Sequence, residues 1–255
     1  MKEVVLEFRD LWKSFYQNGA EKQVLKGANL KVFRGDLLCV LGESGGGKSV
    51  LMEHMNRNNT PDRGEIYLFG ENLLEADPER FNELIKRTGY VFQRNALFKS
   101  LTVHENLVLW FEEHKDEKDD EKLQAIVEKA LREVDLDVNI SRYMPSQLSG
   151  GMQKRLAIAR TIAYEPEIIV YDEPTVGLPE KTIKRITKLI RELHNKGGRT
   201  SIVVTHDLDS VEALEGRIAL VYDGVVHCFD SYDEFRRSDC DAVLKYSGKY
   251  KGEEE

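Results

Sequence analysis

The chain has 255 residues, a formal net charge of −8 and three cysteines, a length that accommodates one large α/β domain with a helical insert or two small ones. The acidic balance argues against a general nucleic-acid binder, which needs a surplus of Lys and Arg to neutralise phosphates. Cys39, Cys228 and Cys240 are odd in number and lack C-x-x-C spacing, which predicts neither a disulfide framework nor a zinc site and fits a reducing cytosol.

No stretch approaches the roughly 18 apolar residues of a membrane span, and the first residues lack the apolar core of a signal peptide, so membrane association is expected only through a partner. Short apolar runs predict strands near 4–8, 27–33 and 36–41. The last of these leads into Gly42-Glu43-Ser44-Gly45-Gly46-Gly47-Lys48-Ser49, which fits the phosphate-binding pattern G-x-x-x-x-G-K-[ST]. Its glycines let backbone N–H groups turn toward a phosphate chain, and the run from Val50 to Met55 can continue as a helix whose N-terminus favours the same anion.

Further strands are predicted near 65–69 and 88–92, and from about 77 to 165 the pattern is mainly helical. Asp77-Pro78 reads as a cap with a first-turn proline, and Thr102-Val103-His104-Glu105 has capping-box form. The charged run from Glu112 to Glu121 reads as a solvated loop and helix start, followed by a helix with Leu123, Ile126, Val127, Ala130, Leu131 and Val134 on one face. A second glycine pair, in Leu148-Ser149-Gly150-Gly151-Met152, precedes a helix with the apolar stripe Met152, Leu156, Ala159 and Ala163, and so makes another N-terminal anion site.

The strand 168–171 delivers Asp172 and Glu173 to its carboxyl end, where one carboxylate can hold a metal through water and the next can polarise an attacking water. Pro179 is expected to start a helix bearing Ile183, Ile186, Leu189, Ile190 and Leu193 on its apolar face. A strand at 201–205 presents His206, and strands at 217–222 and 225–229 flank Asp223-Gly224, a two-residue hairpin signal. An acidic tail, 253–255, closes the chain. The phosphate loop places Lys48 between the β- and γ-phosphates and the Ser49 hydroxyl on Mg²⁺, but alone it leaves kinases, GTPases and transport ATPases open.

In order and spacing, the phosphate loop at 42–49, Gln93, the Leu148–Met152 run, Asp172-Glu173 and His206 make the chain resemble an ATP-binding subunit of an ABC transporter over nearly its whole length. The resemblance implies a P-loop NTPase of ABC type, with a RecA-like α/β core, an antiparallel β subdomain and an α-helical subdomain. It implies an ATP-binding domain over 1–232 with the helical subdomain at about 94–165, followed by a C-terminal helix and tail over 233–255. It further implies ATP held by Gly42, Glu43, Ser44, Gly45, Gly46, Gly47, Lys48, Ser49 and Val50, with Mg²⁺ on Ser49, Gln93 and Asp172. Glu173, His206 and Gln93 would be catalytic, with His206 on the γ-phosphate, and Phe15, or its neighbour Tyr16, would stack on adenine. Ser149, Gly150 and Gly151 would close over the ATP of a second copy, giving a two-fold homodimer on the cytoplasmic face of a bacterial inner membrane, docked on multispanning permease subunits.

One departure concerns Gly177-Leu178-Pro179-Glu180, where proline stands in place of the family's aspartate, which puts communication between the two ATP sites in doubt. Gly47-Lys48-Ser49-Val50-Leu51, Asn95-Ala96-Leu97-Phe98 and Met144-Pro145-Ser146-Gln147 are similar to the ATPases of Mla/Mce-type lipid transporters. That similarity implies a periplasmic Mce-domain carrier and a small cytosolic accessory subunit as further partners, and no nucleic acid. The short segment after 229 leaves no room for the regulatory domain of sugar- or methionine-import ATPases. Amino-acid import and lipoprotein release stay open as alternatives, as does a poorly hydrolysing regulatory subunit.

Overall fold

The computed structural model describes residues 2–17, 19–115 and 117–251. The acidic tail expected at 253–255 lies outside the described residues. The chain opens with β1 (Val4–Gln17), β2 (Ala20–Phe33), β3 (Leu37–Leu41), α1 (Lys48–Glu53), β4 (Arg63–Leu68), β5 (Glu71–Asn72) and α2 (Pro78–Ile85). It continues through β6 (Thr88–Val91), α3 (Val103–Lys115), α4 (Asp120–Glu133), α5 (Gly150–Ile162), β7 (Ile168–Asp172) and α6 (Glu180–Gly197). It closes with β8 (Thr200–Thr205), α7 (Leu208–Leu214), β9 (Arg217–Tyr222), β10 (Val225–Phe229), α8 (Tyr232–Arg237) and α9 (Asp241–Lys251). These elements fall into two compact units, Met1–Lys86 with Arg199–Glu255, and Arg87–Gly198.

In the first unit, β2, β1, β4 and β5 form an antiparallel sheet in that order, with Phe8 opposite Leu30 and Phe15 opposite Lys22. β1 and β2 are each fourteen residues long, which corrects the shorter strands expected at 4–8 and 27–33. The outer part of β2 is polar and exposed, so it carries no core-facing alternation, and the cross-strand ladder alone extends it. In the same unit β3 lies between β8 and β9, parallel to both, and β9 turns into β10 through Asp223 and Gly224. Both turn residues have positive φ, 47° and 78°, as that two-residue turn requires. The Lys26 N–H donates to the Gly224 carbonyl at 2.8 Å, tying β2 to this hairpin. Every residue of β3 is buried, the pattern of a parallel strand covered on both faces.

The second unit pairs β6 with β7 in parallel, Thr88 opposite Ile168 and Val91 opposite Tyr171, and surrounds them with α3 to α6. Local chemistry fixes its helix starts. The Thr102 N–H donates to Glu105 at 2.7 Å while the Glu105 N–H donates back to the Thr102 hydroxyl at 3.2 Å, closing the expected capping box. Pro179 occupies the N-cap of α6, with Glu180 as the first helical residue. This shifts by one the helix start expected from proline. The ring offers no acceptor to the first-turn amides.

His54, just beyond α1, is fully buried. Its Nδ1 sits 2.6 Å from the Val50 carbonyl, and no group among the described residues meets Nε2. Burial holds this imidazole below its ordinary value of 6.5, with Lys13 adding to the shift and Asp62 opposing it. The unfolded chain therefore takes up a proton near pH 6.5 that the folded chain resists, and stability, complete above that pH, is lost as pH falls below it. The urea midpoint of the protein is expected to fall from pH 6.5 to 5.5 more steeply than that of His54→Leu. Equal slopes would remove His54 as the source.

Candidate active site

β3 ends at Leu41 and the chain enters a loop that only particular glycines allow. A Cβ at Gly42 would sit 2.4 Å from the Val221 carbonyl oxygen. Gly47 has φ 98°, and a Cβ there would press on Val24 Cγ1 at 2.9 Å. The loop is closed by the Gly46 N–H donating to Glu43 O at 3.1 Å and by the Leu51 N–H donating to Gly47 O at 2.8 Å. Ser44 and Gly45 form its exposed tip, while Ser49 and Val50 are half-buried.

Lys48 is only 4% exposed, and its Nζ donates to Gly42 O at 2.9 Å and Glu43 O at 2.8 Å. A buried ammonium folded into a loop of backbone amides is a preorganised anion site, because its charge is little screened by water. In the same unit Phe15, 37% exposed, and Tyr16, 79% exposed, lie on β1, so neither ring is core. Lys13 Nζ stands 5.4 Å from the Phe15 ring centroid. His206 follows β8 and is half-buried, with its carbonyl accepting from the Tyr246 hydroxyl at 3.3 Å.

In the second unit Asp172, buried at the end of β7, accepts from the Tyr90 hydroxyl on Oδ2 at 3.0 Å. Glu173 is also buried and takes a left-handed backbone, φ 44°. That conformation costs about 1 kcal/mol or more for a residue with a Cβ, the kind of strain that collects at functional sites. Gln93 is exposed just past β6, and its carbonyl accepts from Lys154 Nζ at 2.9 Å. Lys154 is buried in α5, which pushes its ammonium down to about 8 while Asp172 pulls the other way. One lysine thus spans the Gln93 backbone and the field of the Asp172 carboxylate.

The glycine pair 150–151 begins α5 itself. Ser149 is the N-cap, accepting from the Met152 N–H at 3.4 Å. A Cβ at Gly151 would meet Thr182 Cγ2 of α6 at 2.9 Å. Ser149, Gly151, Leu178, Pro179, Lys181 and Arg185 contribute to the walls of a cleft of about 580 Å³. The Ser149–Gly151 signature and the Pro179 turn therefore face one open space within this unit. Sequence reasoning did not find Lys154 or Tyr90.

The family model described as ABC transporter matches residues 25–176. The chain belongs to the ABC transporter ATP-binding family. It is 36% identical over 94% of its length to the sulfate/thiosulfate import ATP-binding protein CysA of Bradyrhizobium diazoefficiens, spanning 68% of that protein. It is 33% identical over 86% of its length to methionine import ATP-binding protein MetN 1 of Listeria monocytogenes, spanning 64% of it. It is also 34% identical over 96% of its length to the chloroplastic protein TRIGALACTOSYLDIACYLGLYCEROL 3 of Arabidopsis thaliana, spanning 74% of that one.

Among solved structures, the dimeric post-hydrolysis state of the ATP-binding cassette MJ0796 bound to ADP and Pi covers 88% of the chain with a TM-score of 0.79 and 30% identity, and 98% of that chain is matched. CbiO1 of Clostridium perfringens covers 98% of the chain and is itself 92% covered, with a TM-score of 0.77 and 25% identity. The fold is therefore the ABC-type P-loop NTPase, mixed α/β with an antiparallel sheet and a helical part, and its activity is hydrolysis of ATP with Mg²⁺.

Among the described residues no group of three or more His, Cys, Asp or Glu side chains could hold a metal ion. Mg²⁺ takes hard oxygen donors, one or two from protein and the rest from phosphates and water, and a hydroxyl such as Ser49 and a carboxylate such as Asp172 suit it. No helix among the described residues is long and apolar enough to cross a membrane.

Proposed function

We propose that this chain is the ATP-hydrolysing subunit that drives a membrane permease, working as a homodimer at the cytoplasmic face of an inner membrane. The phosphate loop carries the reading, because the buried Lys48 ammonium and the Gly42 and Gly47 backbones make an anion cradle with no room for side chains. In this reading residues 1–232 are the ATP-binding domain with the helical subdomain at about 94–165, and 233–255 are a C-terminal appendage.

Lys48 neutralises the β- and γ-phosphates against the amides of residues 42–50, and Phe15 offers an exposed ring to the adenine. Ser49, Asp172 and Gln93 would hold Mg²⁺, which would supply positive charge against that developing on the transferred phosphoryl group. Glu173 orients a water in line with the γ-phosphorus and accepts its proton as the new P–O bond forms and the bond to ADP breaks. His206 meets the γ-phosphate. Ser149, Gly150 and Gly151 contribute the N-terminus of α5 to the ATP of the second copy.

We take the cargo to be a lipid or another hydrophobic molecule. The similarity of segments 95–98 and 144–147 to lipid-transport ATPases supports this, as does the glycerolipid in the name of the Arabidopsis relative. The names of the sulfate/thiosulfate and methionine relatives support a second reading, import of a small solute. ATPase activity of the chain co-purified with its permease is expected to rise with added phospholipid and stay unmoved by sulfate or methionine. The reverse pattern would select the second reading.

A further inference from the structure

The C-terminal helix reaches the residue proposed to meet the γ-phosphate. Tyr246 of α9 is fully buried, and a phenol carried into an apolar interior needs a partner for its hydroxyl. That hydroxyl donates to the His206 carbonyl at 3.3 Å. Ala242 and Val243 are buried alongside it, one turn back on the same face of α9, while Leu244 and Lys245 are exposed, so the helix is seated by the stripe that carries the tyrosine.

The start of the helix is fixed as well. The Leu244 N–H donates to Cys240 O at 3.0 Å, and Cys240 Sγ lies 3.7 Å from Nδ1 of His227 on β10. On its other side the His206 segment is held by Asp207, whose N–H donates to Thr205 Oγ1 at 3.1 Å and whose carboxylate caps α7 by accepting from the Asp209 N–H at 3.2 Å. The backbone at His206 thus lies between a strand end and a helix cap, with the Tyr246 hydroxyl bonded to its carbonyl.

We propose that Tyr246 is a positioning residue for His206, and that α9 is the strut through which the C-terminal segment sets where that imidazole points. The inference rests on the reading of His206 as the γ-phosphate contact. A single neutral hydrogen bond of ordinary strength, used to hold a group that acts on the transition state, corresponds to about a five-fold change in rate.

The test uses the full-length chain and Tyr246→Phe, which keeps the ring and its packing and removes only the hydroxyl. kcat for ATP is expected to fall about five-fold with KM unchanged. In histidine-labelled protein the His206 signal, assigned by its loss in His206→Gln, is expected to move while the other five histidine signals stay in place. A tyrosine that merely fills space would leave both kcat and that signal where they were. His206→Gln impaired alongside a Tyr246→Phe with normal kcat and an unmoved signal would overturn the strut alone. Normal turnover in His206→Gln would overturn the reading of His206 and the inference together.

Discussion

Glu173→Gln is expected to bind ATP as tightly as the native chain and to hydrolyse it at least about 10²-fold more slowly, the scale on which removal of a positioned general base acts. The amide is isosteric with the carboxylate, so the left-handed turn at Glu173, φ 44°, is kept and only proton acceptance is lost. With hydrolysis stopped, the variant should accumulate as a closed, ATP-loaded dimer, visible by size-exclusion chromatography with ATP and Mg²⁺. Turnover within a few-fold of the native chain would take Glu173 out of the base role.

Lys48→Ala acts one step earlier. The ammonium is buried and donates to Gly42 O and Glu43 O, so its removal takes a weakly screened cation from the phosphate loop and leaves those carbonyls short of a donor. A hydrogen bond to a charged phosphate group contributes about 1.5–3 kcal/mol, so ATP affinity is expected to fall about 10- to 10²-fold and ATP-dependent dimerisation to disappear. Unchanged affinity, measured by calorimetry on the folded variant, would contradict the assignment.

How much of this was legible in the sequence differs from residue to residue for physical reasons. The phosphate loop and the Asp223-Gly224 hairpin were legible because backbone geometry admits few residue types there, and the positive φ values at Gly47, Asp223 and Gly224 are what those types permit. The outer reach of β2 was not, because it is polar and exposed and is held by pairing rather than burial. Nothing marked Glu173 as left-handed, since glutamate, unlike Gly, Asn or Asp, has no preference for that region. Lys154 and Tyr90 were hidden for another reason. Their contacts join α5 to the end of β6, and β6 to the end of β7, across 61 and 82 residues of chain, and no local pattern encodes a contact of that range. Pro179 was legible as lying at a helix start, but its place at the N-cap, one residue before the helix, shows only in the backbone.

The central claim is that each ATP is handled by the phosphate loop of one copy and the signature of another, and mixing two defective chains tests it most directly. In Ser149→Arg the bulky cation blocks the signature and removes the cap on α5, which costs about 1 kcal/mol and leaves the chain folded. Combined with Lys48→Ala, it gives a heterodimer in which one composite site carries both lesions and the other carries neither. ATPase activity and ATP-dependent association, measured across mixing ratios against each variant alone, are expected to peak near equal amounts. An intact site would then exist in the mixture that neither variant possesses. Two circular-dichroism-verified folded variants that show no restored association at any ratio would contradict the shared site.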